Sequence, residues 1–201
     1  MIIIYIIVKI NLLFCIMNIS DYVYKENIFS RDFCSRKIED LNQLNISEWK
    51  SHTWSSINIE DNPTHTRNIK DFSITYQEKI SSDMGDGIIQ FLTNYQKNTS
   101  KFFSISKISN IRFNKYYENQ QMIEHVDHIY GIFDGQNKGI PVISILGVFN
   151  DDYEGGDFWL CGERIKLDVG DILGFPSVFL YPHKVSPIIK GSRYSWITWG
   201  Y

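Results

Sequence analysis

The chain has 201 residues, with 20 Lys plus Arg against 23 Asp plus Glu and a formal net charge of −3. That length fits a single domain, and the 43% share of hydrophobic residues excludes a chain that is disordered throughout. Charges of both signs are scattered, so no long basic run is available to bind a nucleic-acid backbone. Three cysteines without a C-x-x-C pair fit neither a disulfide framework nor a thiolate metal site, and they favour a reducing cytoplasm.

The first 17 residues form an isoleucine-rich run that resembles a membrane segment. A spanning helix needs about 20 apolar residues, whereas this run is shorter and contains Lys9 and Asn11, which are costly in a bilayer. A signal peptide would show a basic start and a small-residue cleavage site, and neither is present. We predict that residues 1–16 are an apolar extension and that Met17 could serve as a second start. Membrane contact, or docking on the domain, is the alternative.

Two amphipathic helices are predicted in the N-terminal half. Residues 31–46 place four apolar side chains at helical spacing behind Ser30, a residue type that favours the N-cap. Residues 77–97 repeat the pattern, although their two glycines weaken it. The polar stretch between the helices, 49–74, is interpreted as extended chain and loop.

From residue 102 onward, short apolar or alternating runs are separated by clusters of Gly, Pro, Asn and Asp. Such spacing is typical of an all-β sandwich or barrel. The predicted strands are 103–113, 121–129, 142–149, 157–160, 172–175, 178–185 and 192–199. The expected fold is therefore α+β and mainly β: a jelly roll, or double-stranded β-helix, over residues 101–201, supported by helices and loops in residues 17–100.

A candidate metal site begins with His125 and Asp127. In a strand, residues two apart face the same side of the sheet, so both side chains would converge, and His128 would face away. His183, in the run FLYPHKV, is the candidate third ligand. Two imidazoles and one carboxylate leave three positions of an octahedral ion open, as suits non-haem Fe(II), whereas zinc is more often held in a four-coordinate set. An isolated H-x-D pair is weak evidence.

A candidate anion-binding residue follows ten positions after His183. Arg193 offers a guanidinium fork that matches a carboxylate. Strand parity allows His183 and Arg193 to come from adjacent strands facing one cavity, and it places Ser195 on the same face as Arg193.

These residues form part of a longer ordered set of motifs between about residues 105 and 200. The set comprises Lys115-Tyr116, His125-Val126-Asp127, Asn150-Asp151-Asp152-Tyr153-Glu154-Gly155-Gly156, Gly170-Asp171, Phe175-Pro176-Ser177, His183 and Arg193-Tyr194-Ser195. In this order and spacing it resembles the 2-oxoglutarate and Fe(II)-dependent dioxygenases, specifically their prolyl 4-hydroxylase-like branch. Asn119 stands where that branch commonly has Gly, Lys115 where it has Arg, and Leu167 where it often has Pro. Asn tolerates a positive φ better than most residues, so the first change is mild.

The resemblance implies a role for each site residue. His125, Asp127 and His183 would hold Fe(II), and Arg193 would bind the distal carboxylate of 2-oxoglutarate. Ser195 and Tyr116 would contact the same cosubstrate.

The resemblance also implies the reaction. Dioxygen would be the second cosubstrate, ascorbate the reductant, and succinate and carbon dioxide the products of a hydroxylation. The expected substrate is a prolyl residue in a peptide or protein, with a free amino acid or small metabolite as the alternative.

Other functions are less favoured by the residues present. A nucleic-acid demethylase of the superfamily would show a second Arg at position 199, which is Trp199. A halogenating relative would lack Asp127, and a silent jelly-roll binding module would have lost a ligand or Arg193. A zinc-dependent cupin would show no effect of 2-oxoglutarate. His52 and His65 are interpreted as surface polar residues.

The location of every predicted site residue beyond position 110 generates a truncation test. A protein begun at Met17 should be as active in 2-oxoglutarate turnover as the full chain, because removing an undocked apolar run opens no cavity and lowers the risk of aggregation. Thermal unfolding and succinate release measure the two effects. A fall of several degrees in Tm together with lost activity would show that the run is part of the core.

Overall fold

The computed structural model describes residues 18–52, 72–99, 104–127 and 141–201. The predicted extension, most of the predicted loop segment, His65 and His128 lie outside these ranges, and the proposed domain boundaries stay predictions. Within the described ranges, no helix is long and apolar enough to cross a membrane.

The elements run from helices near the N-terminus to a series of short strands. The helices are α1 (Arg31–Asn42), α2 (Glu78–Ser81) and α3 (Gly85–Thr99), with 3₁₀ turns at Ile19–Tyr22 and Ile46–Glu48. The strands are β1 (Tyr24–Asn27), β2 (Lys50–Ser51), β3 (Ser73–Tyr76), β4 (Arg112–Tyr116), β5 (Met122–His125), β6 (Ile143–Val148), β7 (Glu154–Gly155), β8 (Phe158–Leu160), β9 (Glu163–Ile165), β10 (Asp171–Pro176), β11 (His183–Val185), β12 (Ile188–Lys190) and β13 (Arg193–Gly200).

The strands form two facing antiparallel sheets and one short pair. The major sheet has the order β1-β10-β6-β13-β4-β3-β2, the minor sheet has the order β5-β11-β8-β9, and β12 pairs with β7. From β4 onward the chain crosses repeatedly between the sheets, since β4, β6, β10 and β13 lie in the major sheet and β5, β8, β9 and β11 in the minor sheet, as in a jelly roll. The predicted fold class, α+β and mainly β with a double-stranded β-helix, is confirmed.

The central strands of the major sheet, β6, β10 and β13, are buried on both faces, and their side chains point alternately to the two faces. On β13, Tyr194 and Trp196 face outward into a cluster that includes Leu41 of α1 and Phe91 of α3. Ile197 faces inward into a second cluster, which lies between the two sheets. The helices therefore cover the outer face of the major sheet, and the inner face is left to line the space toward the minor sheet.

The first predicted helix is confirmed, and the second is interrupted. The Ser30 hydroxyl accepts a hydrogen bond from the Phe33 amide at 3.2 Å, which caps α1 as predicted. The second predicted helix is split into α2 and α3. A Cβ at Gly87 would lie 2.6 Å from the Phe29 ring, so that glycine serves a close approach rather than helix propensity.

Several predicted strand boundaries were wrong. The run 103–113 contains only the start of β4, and 178–185 contains a turn before β11. The predicted runs also omit strands β1, β3, β7, β9 and β12. β1 reads Tyr-Lys-Glu-Asn and carries no apolar run, so its pairing with β10 decides its conformation.

The attachment of β1 depends on Gly170 and Asp171. The Asp171 carboxylate accepts hydrogen bonds from Lys25 Nζ and Asn27 Nδ2, both at 2.8 Å. Gly170 has a φ of +86°, and a Cβ there would collide with the carbonyl oxygen of Phe29. This glycine therefore meets two demands, a left-handed backbone and a close backbone approach.

Gly170→Ala should lower the free energy of unfolding by at least about 2 kcal/mol, because it adds a backbone collision to the strain of the left-handed conformation. Gly162→Ala is the matched control, since Gly162 has a φ of +83° and no atom within 4 Å of an added Cβ. Urea unfolding of both variants measures the difference. Equal losses in the two would contradict the packing role of Gly170.

Candidate active site

Three predicted metal ligands meet between the sheets. The candidate ligand atoms of His125, Asp127 and His183 all lie within 4.8 Å of one another. Asp127 Oδ1 is 3.5 Å from His125 Nε2 and 3.7 Å from His183 Nε2. The pairing of β11 with β5 sets His183 directly opposite His125. The structure therefore brings together residues that are 58 positions apart in the chain.

The backbone orients both imidazoles. His125 Nδ1 lies 2.9 Å from the Ile123 carbonyl oxygen, and His183 Nδ1 lies 3.1 Å from that of Tyr181. A carbonyl only accepts, so each Nδ1 must carry the proton and donate it. In a neutral imidazole this leaves the lone pair on Nε2, which in each ring lies toward Asp127.

His183 is the most deeply buried of the three. Its side chain is 0% exposed, and Phe158 and Phe175 pack around its ring. The pKa of His183 is lowered to about 4, mainly because the ring is buried. His125 adds to this lowering, and Asp127 opposes it. The ring is therefore neutral near pH 7, and its buried Nε2 makes no hydrogen bond.

Asp127 is held by Ser144, which the sequence analysis did not identify and which in turn contacts Ser177 of the Phe175-Pro176-Ser177 motif. Ser144 donates to Asp127 Oδ2 at 2.6 Å, and Ser144 Oγ lies 2.7 Å from Ser177 Oγ. Burial alone would raise the pKa of Asp127, but His183, His125 and Ser144 together hold it well below its usual range. The carboxylate is thus ionised and fixed, with Oδ1 facing the two imidazoles.

This donor set fits a divalent cation. Two neutral nitrogens and one carboxylate oxygen converge, and the orphaned Nε2 of His183 is a buried lone pair that costs free energy unless something binds it. His125, Asp127 and His183 are the residues that would hold such an ion, and this ligand set with open positions is typical of non-haem Fe(II).

A buried arginine lies on the inner face of the major sheet. Arg193 is only 2% exposed, and its Nη1 donates to Ser195 Oγ at 2.9 Å. Its buried Nε has no hydrogen-bond partner. Among the residues that the structure describes, none places a carboxylate within 4.0 Å of it. A buried guanidinium without a counter-charge is costly, so this position is suited to an anionic ligand.

Ser195 is placed to add a donor to the same ligand. Its oxygen accepts from Arg193 Nη1 and, at 3.4 Å, from Asn114 Nδ2. With two donors already directed at its oxygen, its own hydroxyl proton remains available to a carboxylate. The predicted shared face of Arg193 and Ser195 is confirmed by this contact.

Tyr116 lies next to Arg193 and at one end of an aromatic stack. Arg193 Cζ is 5.3 Å from the Tyr116 ring centroid. Phe72 also stacks on the Tyr116 ring, with 4.3 Å between the two ring centroids. His52 stacks in turn on Phe72 at 4.5 Å. His52 is 9% exposed, so its interpretation as a surface residue was wrong. The pKa of His52 is lowered to about 4, mainly by burial and also by the nearby charges of Arg112 and His125.

Asp127 and Arg193 reach the site from positions in the fold other than those predicted from the sequence. β5 ends at His125, so Asp127 reaches the site from the chain just beyond the strand rather than from a regular strand. His183 and Arg193 do not come from adjacent strands, because β11 belongs to the minor sheet and β13 to the major sheet. Parity predicts a face of a sheet, but it does not predict which sheet.

Turn residues of the motifs support the site. Asn150, in the loop after β6, accepts from the Tyr194 amide at 2.8 Å and donates to the Ser192 carbonyl at 2.7 Å, which ties the start of β13 in place. Gly155 and Gly156 have φ of +77° and +64°, as expected for turn glycines. Asn119 has a φ of +64°, so the substitution of Asn for Gly keeps the left-handed turn.

The family comparison covers the second half of the chain. Residues 111–201 match the family model of the 2OG-Fe(II) oxygenase superfamily. A PKHD-type hydroxylase of Alteromonas mediterranea is 35% identical over 94 residues, which cover 43% of this chain and 41% of that protein. A PKHD-type hydroxylase of Xylella fastidiosa is 35% identical over 106 residues, covering 44% and 42%. The chain thus spans about two fifths of the length of these relatives.

Solved structures match over nearly the whole chain. A Pseudomonas putida prolyl-4-hydroxylase has a TM-score of 0.64 at 14% identity, with 89% of this chain and 91% of that chain covered. A viral collagen prolyl hydroxylase from Paramecium Bursaria Chlorella virus-1, in complex with 2OG, has a TM-score of 0.63 at 14% identity, with 89% and 94% covered. A Trichoplax adhaerens prolyl hydroxylase bound to a hypoxia inducible factor peptide fragment has a TM-score of 0.60 at 17% identity, covering 90% and 84%.

The structural likeness establishes the fold, and the family match covers every residue of the metal and arginine sites described above. Residues 111–201 of this chain thus resemble the 2OG-Fe(II) oxygenase superfamily in sequence, and the chain has a prolyl 4-hydroxylase-like fold.

Proposed function

We propose that the protein is an Fe(II)- and 2-oxoglutarate-dependent dioxygenase that hydroxylates its substrate and releases succinate and carbon dioxide. The observation that carries this proposal is the pairing of two features in one interior. Three metal-ligand atoms converge within 4.8 Å, and a buried guanidinium without a counter-charge lies on the facing sheet. A metal and an organic dianion satisfy both features together.

His125, Asp127 and His183 would hold the iron. When bound, the iron and 2-oxoglutarate supply the activation of dioxygen. The protein prepares the ligands in advance. Backbone carbonyls set the Nδ1 protons of both histidines, and Ser144 fixes the second carboxylate oxygen of Asp127.

Arg193 would bind the distal carboxylate of 2-oxoglutarate, with Ser195 donating its hydroxyl proton to the same group. Tyr116 packs against Arg193 and is 1% exposed, so it limits the positions that the guanidinium can adopt. Its own hydroxyl faces Met122 Sδ at 3.8 Å, a weak acceptor that leaves the hydroxyl able to contact a cosubstrate. These residues exclude water from the carboxylate and so strengthen its ionic contact.

The substrate that we propose is a prolyl residue in a peptide or protein, with ascorbate as the reductant. The prolyl hydroxylases that share the fold support this assignment, and residues 17–201 form the proposed unit of activity. A free amino acid or small metabolite is the second candidate. Succinate release across a panel of proline peptides and amino acids, with and without Fe(II), tests the function. A protein that binds zinc and shows no effect of 2-oxoglutarate would be a cupin of another kind.

His183→Ala should weaken Fe(II) binding by about 100-fold or more, since the loss of even an outer partner of a ligand costs 10- to 100-fold. Anaerobic calorimetric titration with Fe(II) measures the affinity without reference to turnover. Because His183 is buried, the variant also leaves a cavity, so Asp127→Asn, which keeps the side-chain volume, should be measured beside it. Normal Fe(II) affinity in both folded variants would remove these residues from the site.

Arg193→Ala should raise the KM for 2-oxoglutarate by a factor on the order of 100, because a charge-assisted bidentate pair in a dry pocket stabilises by about 2 to 3 kcal/mol. Fe(II) affinity should stay unchanged. Arg164→Ala is the control, since Arg164 is an exposed arginine that pairs with Asp157 at 2.6 Å. A wild-type KM in Arg193→Ala would contradict the assignment.

A further inference from the structure

A second arginine without a described counter-charge lies on the same inner face. Arg112, Asn114 and Tyr116 alternate along β4, and Arg112 Nε donates to Asn114 Oδ1 at 3.0 Å. Asn114 continues to Ser195 at 3.4 Å, and Ser195 accepts from Arg193 at 2.9 Å. The two arginines are thus the ends of one polar ladder across β4 and β13, which places both guanidinium groups on the inner face.

The Arg112 guanidinium is held between two aromatic rings. Its Cζ lies 5.2 Å from the centroid of a Trp199 ring and 5.9 Å from that of Phe72. Such packing orients the planar group and removes part of its water while it stays charged. With Nε occupied by Asn114, the two terminal nitrogens remain as a fork.

The anion that would match this fork is absent from the described part of the protein. None of the ion pairs found there includes Arg112, whereas Arg31 and Arg164 each bind an aspartate. Arg112 is half-buried, and a stabilising role in this position would be served as well by an apolar side chain. The arrangement favours an external anion.

The position of Arg112 relates it to the metal ligands rather than to the cosubstrate arginine. Trp199, on which it packs, is paired in register with Ser144, and Ser144 holds Asp127. β4 and β6 flank β13. Arg112 pairs with Ile197 and Ser144 with Trp199, so Arg112 and Ser144 are two strand spacings across and two residues along the sheet, about 12 Å apart. A group bound at Arg112 would therefore lie within one residue or small molecule of the iron position.

We propose that Arg112 binds a carboxylate of the substrate, with Trp199 and Phe72 as the walls of that subsite. This inference rests on the proposed function and names its substrate class: a molecule with a carboxylate roughly 12 Å or less from the carbon that reacts. An acidic side chain near the target residue of a peptide and the carboxylate of a free amino acid share this chemistry. Arg193 binds the cosubstrate, and Arg112 selects the substrate.

The test compares matched probes with and without a negative charge. End-capped proline peptide libraries with Asp or Glu within two residues of the proline are compared with the same libraries carrying Asn or Gln, and free L-proline is compared with L-prolinamide. Succinate release above the substrate-free rate gives kcat/KM. In one of these two comparisons, we expect kcat/KM for the acidic probe to exceed that for the amide probe by about 10- to 100-fold, as for a charge-assisted hydrogen bond.

Variants separate the subsite from overall charge. Arg112→Gln should remove the preference for acid over amide, and Arg112→Glu should favour a Lys library. Arg36→Gln is the matched control, because Arg36 is an exposed arginine whose Cζ lies 5.9 Å from the Phe33 ring on α1, and it should keep the wild-type preference. Preference for peptides or for free proline shows which source supplies the carboxylate.

The outcomes distinguish this inference from the function on which it rests. Equal rates for acid and amide probes, a preference that survives in Arg112→Gln, or no stimulation by any acidic probe would overturn the carboxylate subsite. If the wild-type protein with Fe(II) released no succinate in the absence of substrate, that result would instead overturn the proposed function itself.

Discussion

The pairing of β11 with β5 is the interaction on which the site depends. It sets His183 opposite His125, and it holds two imidazoles with their Nδ1 atoms on backbone carbonyls. Asp127, two residues beyond the end of β5, is the third candidate ligand, and the Ser144 hydroxyl from the major sheet holds its carboxylate in place. A shift of one residue in that register would turn His183 away from the interior and leave two ligands.

The two sheets contribute different chemistry. The minor sheet and the residues just after β5 carry the candidate metal ligands, whereas the major sheet supplies a ladder of polar groups that ends in two arginines. A buried cation on one sheet and a carboxylate with lone pairs on the other are each unfavourable alone. A metal with an anionic cosubstrate resolves both, so the free energy of folding and the capacity to bind are linked.

Prediction from the sequence was most informative where a residue type is required by chemistry or backbone geometry. Motif and spacing predicted His125, Asp127, His183 and Arg193 as site residues; the structure brings the first three together, and their roles stay predictions. The left-handed turn at Asn119 was predicted from the tolerance of Asn for a positive φ. Prediction failed where the partner is distant in the chain. Ser144 shows no signal until its contact with Asp127 is known, His52 has polar neighbours in sequence but packs on Phe72, and β1 owes its conformation to β10. The alternation of side chains along a strand predicts which residues share a face, but only the fold shows to which sheet that strand belongs.

Metal and cosubstrate are proposed to occupy one site and to bind as a unit. Calorimetric titration of the full chain with 2-oxoglutarate, in the presence and absence of a redox-inert divalent ion such as Mn²⁺, tests it most directly. A ligand shared by the metal and Arg193 should bind about tenfold or more tightly when the metal is present, and the metal should gain by the same factor. Equal 2-oxoglutarate affinity with and without the metal would show that the two features are separate and would contradict the account.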